Sequence, residues 1–185
     1  TIPEQEYRVR AGTQPIFMFR VAAHPSGALS WKKIQFDLTP SGATVAALQT
    51  EPGTQGNATI RPISLSGFPN LSIARAIGEV IPSGSTGRVT LILASEEIVP
   101  AGESKTYEVS LPFADVGDAP SVSIRLSLQE TEVLSSLASF SGVEKTLNDV
   151  PSFIWSDRSV SRHSEASSDW MNGMYVSGLP SSFIL

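Results

Sequence analysis

The chain contains no cysteine. That excludes disulfides, thiol catalysis and Cys-based zinc sites, although it leaves export open, since exported bacterial proteins often avoid the residue. It also lacks an apolar run of about 18 residues or more, the length a membrane-spanning helix needs. Basic charge is scarce: 13 Lys and Arg stand against 18 Asp and Glu, a net charge of -5. Without a basic face there is no electrostatic footprint for nucleic-acid phosphates. No signal peptide is read at the start, and the chain opens on Thr1, which reads as a mature form or an excised piece of a longer protein.

What is there is a globular composition: 185 residues, 41% hydrophobic and 17% charged, with Ser and Thr supplying much of the polarity. A chain of this size buries enough surface to fold without metal or disulfide staples. Over the first two thirds, apolar residues alternate with polar ones at a period of two, the signature of strands whose side chains point to opposite faces. "SVSIRLSL" places Val122, Ile124, Leu126 and Leu128 on one face; "KIQFDL", "TYEVSL" and "RVTLIL" repeat the pattern. "QPIFMFRV" is apolar on both faces and predicts a central strand covered on both sides, with "YRVRA" a short strand before it.

Clusters such as "HPSGA", "TPSGA", "EPGTQGN" and "IPSGSTG" separate these runs and reverse the chain. Strands without intervening amphipathic helices predict an all-β, antiparallel, immunoglobulin-like β-sandwich. Its core is expected over residues 1–130, with 131–185 a C-terminal extension packed on the same domain and carrying a Trp/Ser-rich loop and hairpin. "NLSIARAIGEVIP" leans to strand, and "ETEVLSSLASFSGVEKTL" admits either a short helix or a strand.

The segment "FIWSDRSVSRHSEASSDWMNGMYVSGLP", residues 153–180, holds whatever chemistry the chain advertises. Read as a hydrolase triad, it offers His163 as base, Asp157 or Asp169 as the orienting carboxylate, and Ser156, Ser159, Ser161, Ser164, Ser167 or Ser168 as nucleophile. No G-x-S-x-G elbow accompanies them. Read as a metal site, it offers His163, Asp157, Asp169 and Glu165, with Asp157 and Asp169 the weak candidates for a structural Ca²⁺, but it lacks EF-hand or H-x-x-x-H spacing. The favoured reading is a structural clasp in which Trp155 and Trp170 anchor a loop while Asp and Ser side chains satisfy indole and backbone N–H groups. Asn172-Gly173 then predicts a tight turn into a strand "MYVSGL".

"AGTQPIFMFRVAA", "VPAGESKTYEVSL" and the late "FIWSDRSVSRHSEASSDWMNGMYVSGLPSS" together resemble a recurrent module of large exported proteins of the Candidate Phyla Radiation, the Patescibacteria and especially Parcubacteria. Phe153, Trp155, Ser156, Asp157, Ser159, His163, Ser164, Asp169, Trp170, Asn172 and Gly173 fall on its late motif. Met174 stands where an aromatic is usual. The resemblance covers nearly the whole chain and implies a cell-surface β-sandwich; it supplies no catalytic residues.

The expected function is therefore non-enzymatic: a surface-layer, filament or adhesin component, extracellular, without a cofactor unless a structural Ca²⁺, and partnered by copies of itself or other envelope proteins. Residues 1–12 could pair with their own sheet or add to a sheet edge of a neighbouring copy. The alternative is a carbohydrate- or host-surface-binding module using Trp31, Trp155 and Trp170 as stacking platforms, although Trp31 more simply belongs to the core. Lys32, Lys33, Lys105 and Lys145 with Asn148 or Glu144 are remote candidates for an isopeptide bond. Asn57 and Asn70 match the N-glycosylation pattern, and His24 is a turn residue.

Overall fold

A computed structural model describes residues 9–49, 58–63, 71, 73–117, 122–128, 133–137, 139–140, 153–176 and 181–184. Within them the alternating runs become antiparallel strands: β1 (Gly12–Ala22), β2 (Leu29–Ser41), β3 (Thr44–Val45), β4 (Leu48–Gln49), β5 (Thr59–Pro62), β6 (Ile73–Gly78), β7 (Gly87–Val99), β8 (Ser104–Ala114), β9 (Ser123–Leu128), β10 (Leu134–Leu137), β11 (Phe153–Ser156), β12 (Trp170–Asn172) and β13 (Ser181–Ile184). They form two sheets, one ordered β1-β8-β3 with β5 also on β8, the other β10-β12-β11-β2-β7-β6-β4 with β9 on β2 and β13 on β9. The protein is an all-β sandwich.

The period-two pattern explains the core. Trp31, Ile34, Phe36 and Leu38 of β2, Val89, Leu91 and Leu93 of β7, and Tyr107, Val109, Leu111 and Phe113 of β8 are buried between the sheets. Rings interlock there: Trp31 meets Tyr107 edge-on with centroids 5.0 Å apart, and Phe17 meets Phe36 in the same way at 5.0 Å. Such contacts add to area burial by about 0.5–1.5 kcal/mol each. Burial raises the Tyr107 phenol well above its ordinary value; the Trp31 indole opposes this and the Glu97 carboxylate adds to it.

Residues beyond 130 build into this frame. β11 pairs with β2, β12 with β11, β10 with β12, and β13 with β9. A second, smaller apolar cluster of Ile92, Leu137, Phe140, Ile154 and Trp170 forms around these strands. Ile92 alternates with Leu91 and Leu93, so this cluster covers the other face of the larger sheet.

Several expectations change. "QPIFMFRV" is not a central strand: among the described residues β1 pairs with β8 alone, and Met18 is 39% exposed. A register slip between Pro15 and Phe17 lets both Ile16 and Phe17 turn inward, which is why the run looks apolar on both faces. Residues 9–11 of "YRVRA" form no strand. Two other expectations hold or are resolved: "SIARAIG" forms strand β6, as its pattern leans, and of the two states open to "ETEVLSSL" the strand is taken, as β10. Residues 174–176 turn instead of continuing as a strand.

Candidate functional site

Two register irregularities, both falling at Trp31–Lys33 of β2, create the site. Against β7, two steps along β2 (Trp31 to Lys33) correspond to five along β7 (Glu97 to Ile92), so β7 bulges outward and carries Glu96 on the bulge. Against β11, the single step from Trp155 to Ile154 again spans Trp31 to Lys33, leaving Lys32 as the extra residue. Bulges re-aim side chains. Here they leave a polar gap at the edge of the aromatic core, and residues 157–169, which connect β11 to β12, fold over it.

His163, halfway along that loop, fills the gap with its side chain only 4% exposed. Its Nδ1 faces Asp169, 2.9 Å from Oδ2 and 3.0 Å from Oδ1, with Ser167 Oγ at 3.2 Å and Ser156 Oγ at 3.4 Å. Its Nε2 faces Glu96 Oε2 at 2.7 Å, with Ser30 Oγ at 3.5 Å. Carboxylate oxygens thus flank both ring nitrogens. The ring also packs against Trp170, centroids 5.0 Å apart.

The surrounding groups complete the network. Arg158 Nη1 donates to Glu96 Oε1 at 2.7 Å, Val160 N–H to Asp169 Oδ2 at 3.2 Å, and the Ser167 hydroxyl to Asp169 Oδ1. Burial pushes the Glu96 carboxyl upward, but hydrogen bonds from Ser30, Arg158 and His163, with the His163 charge, outweigh it and leave Glu96 below its ordinary value. Asp169 behaves alike: burial raises it, and bonds from Ser167, Val160 and His163 carry it below.

Each motif residue has a place. Trp170 is fully buried and donates its indole N–H to Ser164 O at 2.9 Å; Trp155 donates to Met174 O at 2.9 Å. The Ser156 hydroxyl accepts the Arg158 N–H at 2.9 Å, and Asp157 Oδ1 accepts the Ser159 N–H at 3.0 Å. Gly173, in the left-handed region at φ 62°, returns its N–H to Phe153 O. Asn172 is buried on β12. Lys32 pairs with Glu165 and lies 4.7 Å over the Phe140 ring.

The arrangement does not build a hydrolase relay. A hydrolase relay needs an accessible hydroxyl on one ring nitrogen and a carboxylate on the other. Ser156 and Ser167 share Nδ1 with Asp169, the wrong side. Ser30 has the right order, but it is fully buried, its hydroxyl is given to Glu96, and Glu96 already occupies Nε2. Glu96, Ser30 and Arg158 were not recognised from the sequence as partners; the first two lie 67 and 133 positions from His163 and carry no local signal.

For a metal, Asp157 is engaged with Ser159 and Asp169 with His163; among the described residues no cluster of three or more His, Asp or Glu is arranged to hold an ion. Of the three Trp platforms, Trp31 and Trp170 are fully buried and offer no face to a ligand. Trp155 is partly buried and lines a cleft. Lys105 pairs with Glu97 at 2.7 Å. The His24 ring meets Ser26 Oγ at 2.6 Å in a turn. Lys145, Asn148, Glu144, Asn57 and Asn70 lie outside the described residues.

Among the described residues no helix is long and apolar enough to cross a membrane. Compared with protein-family models, curated proteins and solved structures, the chain matches none.

Proposed function

We propose that this chain is a non-enzymatic structural module of the bacterial cell surface, an immunoglobulin-like sandwich serving as a subunit or domain of a surface layer, filament or adhesin. The observation that supports it is the use of the motif: its one histidine and nearest serines are consumed in joining a loop to three strands, β2, β7 and β11. Polar side chains that are costly to bury unpaired are here buried and paired with one another, and so fix the loop to the sheet. The module-like resemblance of the late motif, and the sparse charge of the chain, favour the same reading.

Light scattering and negative-stain microscopy over a concentration series, with and without Ca²⁺, test it. Ordered filaments or sheets are expected, and deletion of residues 1–12 is expected to reduce them. A strict monomer in every condition overturns self-assembly as the function of this chain.

A further inference from the structure

The loop of residues 157–169 is held by two kinds of bond, and they run to opposite sides of β11. Its charged ties go to β2 and β7: Arg158 Nη1 donates to Glu96 Oε1 at 2.7 Å, His163 Nε2 lies 2.7 Å from Glu96 Oε2, and Glu165 pairs with Lys32. Its neutral ties go to β10, β12 and Phe140. The Ser168 carbonyl accepts from the Ser136 hydroxyl at 2.8 Å, the Ser164 carbonyl from the Trp170 indole at 2.9 Å, and the Glu165 carbonyl from the Phe140 N–H at 2.7 Å. Toward β2 the neutral contact of Ser30 Oγ with His163 Nε2 is long, at 3.5 Å.

Acid acts on the charged set alone. Glu96 on β7 and Glu165 and Asp169 on the loop face Lys32 on β2 and Arg158 and His163 on the loop. Burial raises Glu96 and Asp169, yet hydrogen bonds from Ser30, Arg158 and His163 to the first, and from Ser167, Val160 and His163 to the second, hold both below their ordinary values. Their part in holding the loop is therefore present above the ordinary carboxylate range and lost as pH falls through their own values. In acid an imidazole is a cation. His163 and Lys32, with side chains 4% and 5% exposed, then sit in the gap without counter-charges, which costs more than a solvated loop.

We propose that the loop of residues 157–169 is an acid-released flap: neutralising these carboxylates frees it from β2 and β7, while β10, β12 and Phe140 hold its other side as a hinge. The strands stay folded, because their backbone ladders and the apolar core between the sheets do not titrate in acid. The flap covers the polar gap at the edge of the aromatic core, so its release opens that gap to solvent. This device goes beyond the proposed surface role and does not depend on it.

Hydrogen exchange followed by mass spectrometry on the full chain, near neutrality and at about pH 4, tests this once rates are corrected for the intrinsic pH dependence of exchange. The N–H groups of Arg158 and Val160, which bond to Ser156 Oγ and Asp169 Oδ2, report on the flap. Their peptides are expected to lose about tenfold or more in protection in acid, while those of β2, β7 and β8 keep theirs. Glu96→Gln, which stands in for the protonated side chain, is expected to show the same loss near neutrality. Joint loss by flap and strands would overturn the proposal, because the transition would then be global. So would a flap that stays protected until the strands unfold, or unchanged protection in folded Glu96→Gln. Should that variant fail to fold, the pH series on the unaltered chain decides alone.

Discussion

The imidazole of His163 reaches Glu96 across 67 residues of chain, with Nε2 and Oε2 2.7 Å apart. The contact exists because a bulge in β7 places Glu96 beside β2, while Asp169, six residues after His163, takes the other ring nitrogen. One side chain thus ties the β11–β12 loop both to itself and to the sheet.

Removing that side chain leaves two carboxylates short of a donor, one of them, Asp169, with its side chain only 2% exposed. Breaking a buried pair by deleting one partner costs about 3–5 kcal/mol; Glu96 is partly solvated, which favours the lower end. His163→Ala is expected to lose about 3 kcal/mol in urea unfolding, and a double variant, His163→Ala with Asp169→Asn, to recover part of it. A loss under about 1 kcal/mol would mean the network is not a clasp.

Acid should open the same network. Glu96 and Asp169 are both held below their ordinary values of 4.5 and 3.8. Depressed folded-state values contribute stability that is present above the unfolded values and is lost as pH falls through the folded ones. Unfolding free energy is therefore expected to fall below about pH 4.5, with a shallower acid limb in Asp169→Asn. An identical acid limb in that variant would remove Asp169 from the cause.

The strands were legible because their cause is local: a period-two run such as "KIQFDL" specifies its own faces. β1 was misread because its slip at Pro15 turns neighbouring residues inward, and an edge strand then imitates a central one. The clasp was legible in kind, since Trp155, Trp170, Asp169 and His163 stand close in sequence. Its counterparts Glu96 and Ser30 were not, because bulges that juxtapose distant strands leave no periodic trace. Trp31 and Trp170 are covered while Trp155 lines a cleft, a difference sequence cannot show, because composition marks an aromatic without saying what packs over it.

Gly87 offers a packing test far from the clasp. A Cβ there would stand 2.5 Å from Ile81 Cγ1 and 2.7 Å from Cδ1, and Ile81 is itself 3% exposed. Overpacking of this kind costs about 1–3 kcal/mol. Gly87→Ala should be destabilised by that amount, and Ile81→Val should soften the effect, giving a coupling energy in a double-mutant cycle. Strict additivity would place the strain elsewhere.

Fluorescence separates the three tryptophans. Trp31 and Trp170 are fully buried, so collisional quenching by acrylamide must act mainly through Trp155, which lines the open cleft. Trp155→Phe keeps most of the apolar contact but leaves the Met174 carbonyl without its indole donor, a loss of about 1 kcal/mol. The variant should unfold slightly earlier in urea and lose most of its quenchable emission, while the remaining spectrum stays blue-shifted. Unchanged quenching would mean that Trp31 or Trp170 meets solvent, and the sandwich core would then be more open than its packing implies.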